Sequence, residues 1–358
     1  MNVYIPVFLL IILFCVFIKG KNSAKTKLIL SFGLIFLMMA FRNHWGGDYE
    51  AYENWYDFFN GMGARDLALL TEDETRSEIG YRFLCYLCPS FRFVLIVYTL
   101  FFCVTMYFFF KEFIPEKFFP YTFALFFFNK HLLMGSSSIR TCIAVCFFLF
   151  AVISLSKNKK LWAIILIPIG ALFHTGVLIL YPIILLRNRP IRIRKDLILI
   201  ICAILAVLSV LFANQIVAAA DYFTSSIGIF KRYEEYMEET VVTGLGLGIV
   251  FVIMEMVMLL PLIDISASFG LKGKDYIILQ LGIVWIFFMI APSFGLSERL
   301  FFYLDYAILA AVPIVVRNCK NELMSMTFKY YLLVYYLWVF SHYLSDAHFV
   351  AAWLHYNF

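Results

Sequence analysis

Charge is scarce in this sequence. Only 15% of its 358 residues are Asp, Glu, Lys or Arg, against roughly 25% in a soluble domain, which excludes an ordinary solvated globular chain. The formal net charge of +5 carries little information as a total, because orientation in a membrane follows where the basic residues lie. No nucleic-acid partner is expected. Cysteine is present but uninformative: of eight, Cys15, Cys103, Cys142, Cys146 and Cys202 lie in apolar runs, where a thiol behaves as a small hydrophobe. Cys85 and Cys88 form a C-x-x-C with no second pair and no His cluster, so neither a zinc site nor a disulfide framework is supported. No metal and no cofactor is expected. Internal repeats and low-complexity linkers are also missing.

Apolar length is abundant. The chain is 63% hydrophobic and 19% aromatic. At about 20 apolar residues per crossing there is room for roughly ten to twelve transmembrane helices and for no separate soluble domain. The expectation is an all-α polytopic membrane protein, one multispan domain over residues 1–358, with some helices broken or short. Val3 to Ile18 has no basic region ahead of it and no small-residue cleavage site after it, and four lysines follow, so it reads as a retained first helix.

The positive-inside rule orients the segments. With Lys19 to Lys27 cytoplasmic, Leu28 to Phe41 runs outward and Arg42 to Gly80 is an outer loop, carrying nine acidic residues against three arginines. Phe91 to Phe110 returns, Phe118 to about Met134 goes out, and Ile139 to Ser156 returns to Lys157, Lys159 and Lys160. Later segments are Leu197 to Phe212, a second outer loop at 213–245, Gly246 to Ile263, Ile277 to Ala291, Leu300 to Val316 and Phe328 to His342.

Leu161 to Leu186 breaks the pattern. Its 26 residues are too many for one untilted crossing and too few for two, and a single crossing would put Arg187, Arg189, Arg192, Arg194 and Lys195 outside. Two half-helices meeting on the outer side near His174 resolve the conflict, with Pro168, Gly170 and Pro182 as the breaking residues. Such elements are tolerated at membrane depth where they line a cavity or are buried in protein.

This topology gathers polar residues at the outer face: Arg42, Asp48, Glu78, Arg140, His174, Lys231, Arg232, Glu298 and Arg299. Gly46 and Gly47 permit a sharp turn or a close ligand approach beside Asp48, Tyr49 and Tyr52. Trp45 and the tyrosines also suit an interfacial anchor. Arg140 follows Gly135-Ser136-Ser137-Ser138, read as a cap, and so falls in a first helical turn, where a cation opposes the macrodipole by roughly 0.3–1 kcal/mol. The same place favours a bound anion, on which backbone N–H groups and the Arg fork converge; pairing with Asp48 or Glu78 is the structural alternative. His174 reads either as a hydrogen-bonded core residue or as a catalytic one, and Glu78 either as a helix cap or as a second functional carboxylate. Glu255 is an expensive mid-membrane carboxylate that would be prominent in a transporter.

Arg42 with Gly47-Asp48-Tyr49 and Tyr52, then Glu78-x-Gly80-Tyr81, then Ile139-Arg140 with Ala144, then Phe173-His174-Thr175, resembles the EpsG-like branch of the bacterial Wzy-type polysaccharide polymerases. The resemblance covers roughly residues 28 to 190, with weaker echoes at Arg232 with Tyr233 and Tyr236 and at Arg299 with Tyr303; Thr141 stands where the family often has Gln. It implies polymerisation of O-antigen, capsule or exopolysaccharide repeat units carried on undecaprenyl diphosphate, at the outer face of the bacterial inner membrane. The implied partners are those lipid-linked oligosaccharides, membrane lipids, and a chain-length regulator and flippase of the same pathway. On this reading Arg140, Arg42, Arg232 and Arg299 stabilise the leaving diphosphate, His174, Asp48 or Glu78 supplies the base, and Tyr49, Tyr52, Tyr81 and Trp45 contact sugars. A lipid-linked-oligosaccharide flippase and a membrane O-acyltransferase are the alternatives. The first should carry charge through the bilayer depth and inverted repeats; the second should face a cytosolic acyl donor.

Overall fold

A computed structural model describes residues 3–70, 77–129, 131–186, 273–290, 295–319 and 321–345, with isolated positions between 196 and 222. The described residues form helices and no strand, and the protein is an all-α polytopic membrane-type chain. Among the described residues, three helices are long and apolar enough to cross a bilayer: Ser23–Ala40, Phe91–Phe113 and Ile139–Ser156. An 18-residue helix spans about 27 Å, close to the roughly 30 Å hydrocarbon core. Tyr4–Phe17, Lys160–Ala171 and Thr175–Leu185 are shorter apolar helices. The expected outer loop at 213–245, the span at 246–263, Arg232 and Glu255 lie outside the described residues.

Two compact units divide the chain: Met1–Ile184 with Leu332–Phe358, and Leu185–Tyr331. In the first, Ser23–Ala40 packs on Phe91–Phe113, which packs on Ile139–Ser156, which packs on Lys160–Ala171. Phenylalanine fills these seams. Phe110 lies 4.8 Å from Phe123, and Phe32 meets Phe110 edge-on at 5.2 Å, the offset geometries that ring quadrupoles favour. In the second unit Lys274–Ile290 packs on Gly295–Asn318, where the Trp285 indole donates to Asp305 and Arg317 pairs with Asp275.

Charged contacts fix the helix directions in the first unit. Glu112, near the end of Phe91–Phe113, pairs with Lys157, just past Ile139–Ser156, at 3.5 Å, so those two helices run the same way. Arg92, in the first turn of Phe91–Phe113, donates to the carbonyls of Ala40 and Arg42 at 3.1 and 2.6 Å, so Ser23–Ala40 runs opposite to them. One end of the helices therefore carries Lys27, paired with Glu116 at 2.6 Å, and Lys157. The other carries Arg42, Arg92 and Arg140.

Three elements differ in detail from the sequence reading. The second helix starts at Ser23 rather than Leu28, so part of the expected basic loop is helical; Lys27 is buried because Glu116 neutralises it. The segment expected as one crossing from Phe118 is two helices, Phe119–Phe128 and His131–Ser137. The expected loop at 42–80 contains helices Tyr49–Asn60 and Ala64–Leu69, and a third, Ile79–Leu87, begins at its end. In Tyr49–Asn60 the buried positions are Tyr49, Tyr52, Tyr56 and Phe59, spaced for one helical face. Asn60 Nδ2 donates to the carbonyls of Cys85 and Cys88 at 3.0 Å, satisfying groups that the Ile79–Leu87 helix leaves unpaired at its end.

The break expected near His174 is present. The α-helix ends at Ala171 and a 3₁₀ helix, Thr175–Leu185, follows. Runs of 3₁₀ this long are uncommon, and their rise of about 2.0 Å per residue covers more depth than α-helix does. The cations 187–195, on which the sidedness of this segment turns, lie outside the described residues.

Candidate functional site

The site is assembled where Ile139–Ser156 begins. Ser138 holds the N-cap position without a side-chain capping bond; its hydroxyl instead donates to Asp48 Oδ2 at 3.1 Å, while the Asp48 amide donates to Ser137 Oγ at 3.2 Å. The serines read as a helix cap are therefore the seat of the 46–48 turn. Gly46 sits at φ +114°, a conformation that L side chains rarely adopt, which explains glycine here, and it runs alongside the Ser136 carbonyl. Asp48 is exposed and immediately precedes Tyr49–Asn60.

Arg140 projects from the first turn into side chains. Its Nη1 donates to Glu78 Oε2 at 2.5 Å, and its Nε reaches Tyr52 Oη at 3.4 Å. The guanidinium carbon lies 4.7 Å from the Trp55 ring centroid and 5.9 Å from that of Tyr52, the range of cation–π attraction. Glu78, 1% exposed, is the N-cap of Ile79–Leu87. Its other oxygen, Oε1, accepts from the Thr175 amide at 3.4 Å, at the start of the 3₁₀ helix. One carboxylate thus joins a membrane-length helix to the break.

The break is held against the same helix start. The Gly80 amide donates to the Leu172 carbonyl at 2.7 Å, and a Cβ on Gly80 would stand 2.6 Å from that oxygen. Only glycine permits this approach. Phe173 stacks on Phe147 at 6.0 Å, and His174, buried, has its amide bonded to the Gly170 carbonyl at 3.1 Å. His174 is thereby brought next to the Thr175–Glu78–Arg140 chain.

Aromatic rings close one side. Tyr52 and Tyr81 meet edge-on at 5.2 Å, and the Tyr81 hydroxyl donates to the Tyr52 carbonyl at 3.0 Å. Burial pushes both phenols above the ordinary tyrosine range; at Tyr52 the neighbouring Arg140 pulls the other way. Both remain neutral hydroxyls at physiological pH.

The other arginines of this region are bound differently. Arg42, fully buried, donates to the carbonyls of Trp45, Met39 and Ser136 at 3.0, 2.7 and 2.5 Å. Two of these lie at the ends of Ser23–Ala40 and His131–Ser137, where carbonyls lack intrahelical partners and a cation is favoured. Arg92 does the same at Ala40, and Arg82, which the sequence reading did not single out, donates to Leu67 and Leu70 at the end of Ala64–Leu69 at 3.0 and 2.5 Å. Each joins helix ends. Nothing in the sequence separates Arg82 from a surface cation, because its partners are main-chain atoms of another helix. All four expected sugar contacts, Trp45, Tyr49, Tyr52 and Tyr81, are buried side chains: Trp45 packs 6.4 Å from Tyr4, and Tyr49 meets Phe91 at 5.2 Å. Arg299 lies near the start of Gly295–Asn318, and Arg232 lies outside the described residues. Cys85 and Cys88 are buried, and burial pushes the Cys85 thiol up to about 12. Among the described residues no group of three or more His, Cys, Asp or Glu is placed to hold a metal.

Fold and site together define a polytopic all-α membrane protein with a guanidinium, two carboxylates and aromatic rings gathered at one end of its apolar helices. The chain belongs to the EpsG family, whose model matches residues 25–358. Membership associates it with the polymerases of polysaccharide biosynthesis. No curated protein and no solved structure matches the chain.

Proposed function

We propose that the protein is a glycosyltransferase that polymerises undecaprenyl-diphosphate-linked oligosaccharide repeat units at the outer face of the bacterial inner membrane. In this reaction a hydroxyl of one lipid-linked unit attacks the anomeric carbon of the growing chain, forming a glycosidic bond as the bond to the lipid diphosphate breaks. The leaving diphosphate requires positive charge and the attacking hydroxyl requires a base.

One observation carries the assignment. Arg42, Arg82 and Arg92 all donate to main-chain carbonyls at helix ends, Arg92 to the Asn43 side chain as well, whereas Arg140 is directed onto a carboxylate and the half-buried Trp55 ring. A guanidinium at a helix N-terminus, beside backbone N–H groups, suits a phosphate oxygen pair. Arg140 is therefore the principal diphosphate ligand, and Arg42 a positioning residue that fixes the Gly46–Asp48 turn against Ser136. Arg232 and Arg299 remain candidates for further phosphate contacts. His174 is the favoured base, because an imidazole moves protons near neutral pH while a carboxylate beside arginine loses basicity. Asp48 and Glu78 are the other candidates. Trp55, half-buried, is the ring on which a sugar face can stack, and the buried Tyr52 and Tyr81 pack edge-on against it from behind.

The test is the glycan profile of a deletion strain. A lipid core bearing a single repeat unit and no ladder supports the polymerase; complete absence of exported units indicates a flippase instead. Complementation with Arg140→Ala should leave the single-unit profile unchanged.

A further inference from the structure

Glu78 does two things with one carboxylate. Oε2 neutralises Arg140, and Oε1 holds the Thr175 amide at the start of the 3₁₀ helix. Three residues from Thr175, the Leu172 carbonyl is bound by the Gly80 amide at 2.7 Å. The 78–80 segment is thus joined to the break at two points, one a backbone bond and one an ionisable side chain.

We propose that Glu78 is a resident counter-ion displaced by the anionic ligand of Arg140, so that diphosphate binding loosens the break at residues 172–175. This rests on the reading of Arg140 as a diphosphate ligand. A second anion arriving at a guanidinium already paired at 2.5 Å brings like charges together in a largely desolvated place, where both cannot stay ionised in contact. Glu78 then leaves Arg140 or takes up a proton. Either change weakens its bond to the Thr175 amide, because a neutral carboxyl is a poorer acceptor than a carboxylate. The Gly80–Leu172 bond is independent of charge and acts as the hinge. Ligand binding at Arg140 is thereby converted into release of the segment that carries His174.

The full chain in lipid nanodiscs provides the test, with inorganic diphosphate and a prenyl diphosphate lipid as separate probes. Affinity and hydrogen exchange at the Thr175 amide are read for the parent, Glu78→Gln, Glu78→Asp and Arg140→Ala. In the parent, ligand should speed Thr175 exchange. Glu78→Gln should bind roughly tenfold more tightly, the scale of one charged hydrogen bond, with Thr175 exchange no longer responsive. Glu78→Asp, charged but one methylene shorter, should keep parent-like affinity and lose the response; with the parent's exchange it decides the matter if Glu78→Gln does not fold. A response to both probes assigns the slot to the diphosphate alone, and a response to the lipid only shows that the prenyl chain contributes; both support displacement. Binding that needs Arg140 but leaves Thr175 exchange unchanged or slowed overturns displacement while the diphosphate site stands. Binding absent, or indifferent to Arg140→Ala, overturns the site and the displacement together.

Discussion

Glu78 and Arg140 stand 62 positions apart in the chain and meet at 2.5 Å. Their pairing ties the short Ile79–Leu87 helix to the start of a membrane-length helix. A cation in a first helical turn opposes the macrodipole, and a part-buried one needs a counter-charge. Glu78 supplies it, and its second oxygen extends the connection to Thr175.

Arg140→Ala should abolish polymer while the protein still inserts in the membrane, because Ile139–Ser156 is held by its apolar faces. Arg140→Lys should rescue poorly, since an ammonium cannot make the planar two-point contact to phosphate oxygens. Ladder length on gels, normalised to protein in the membrane fraction, decides. A full-length ladder with Lys would show that a point charge suffices.

His174→Ala and His174→Gln should both lose in-vitro coupling of lipid-linked units by on the order of 10²–10⁴-fold with lipid-diphosphate binding intact. The parent rate should fall on the acid side, where a general base is protonated. Robust turnover by His174→Gln would reassign this residue to hydrogen bonding and leave the base to Asp48 or Glu78.

Gly80→Ala places a methyl group 2.6 Å from the Leu172 carbonyl oxygen. Backbone must move to admit it, at a cost of roughly 1–3 kcal/mol. Thermal unfolding in detergent should shift downward, and Gly33→Ala, where a Cβ meets nothing within 4 Å, serves as the control. Equal melting of the two variants would mean that the Gly80–Leu172 approach is not a packing constraint.

Glu116 contributes stability with a definite pH sign. The hydrogen bonds from Lys27 and Ser23 hold its carboxyl below the usual glutamate range. A carboxyl lowered in the folded protein stabilises above its unfolded value, near 4.3, and that contribution is lost as pH falls through the folded value. Parent and Glu116→Gln melting temperatures should therefore converge in acid and separate toward neutral pH. A constant gap across the titration would remove the ionic component of the contact.

Single-cysteine labelling from either face of the membrane should place positions 159 and 192 on the cytoplasmic side and 174 on the other. Opposite faces for 159 and 192 would mean that the segment crosses once, and the outer assignment of everything beyond it would invert.

The sequence alone was enough to determine the helical, membrane-spanning class, the position of Ile139–Ser156, and the break near His174. These are properties of a one-dimensional pattern: apolar length against bilayer thickness, basic residues against sidedness, proline and glycine inside an apolar run. The residue set Asp48, Tyr52, Glu78, Arg140 and His174 was also legible, since polar groups are costly beside apolar runs and stand out there. Only the tertiary structure decided what each of them touches. Arg42 and Arg140 look alike in sequence, each at the end of an apolar run, yet one is directed onto main-chain carbonyls and the other onto Glu78, Tyr52 and Trp55. Trp45, Tyr49, Tyr52 and Tyr81 resemble exposed aromatics and are buried. The difference lies in which helix end or ring stands opposite each side chain, and that depends on contacts between segments far apart in the chain, which local pattern does not encode.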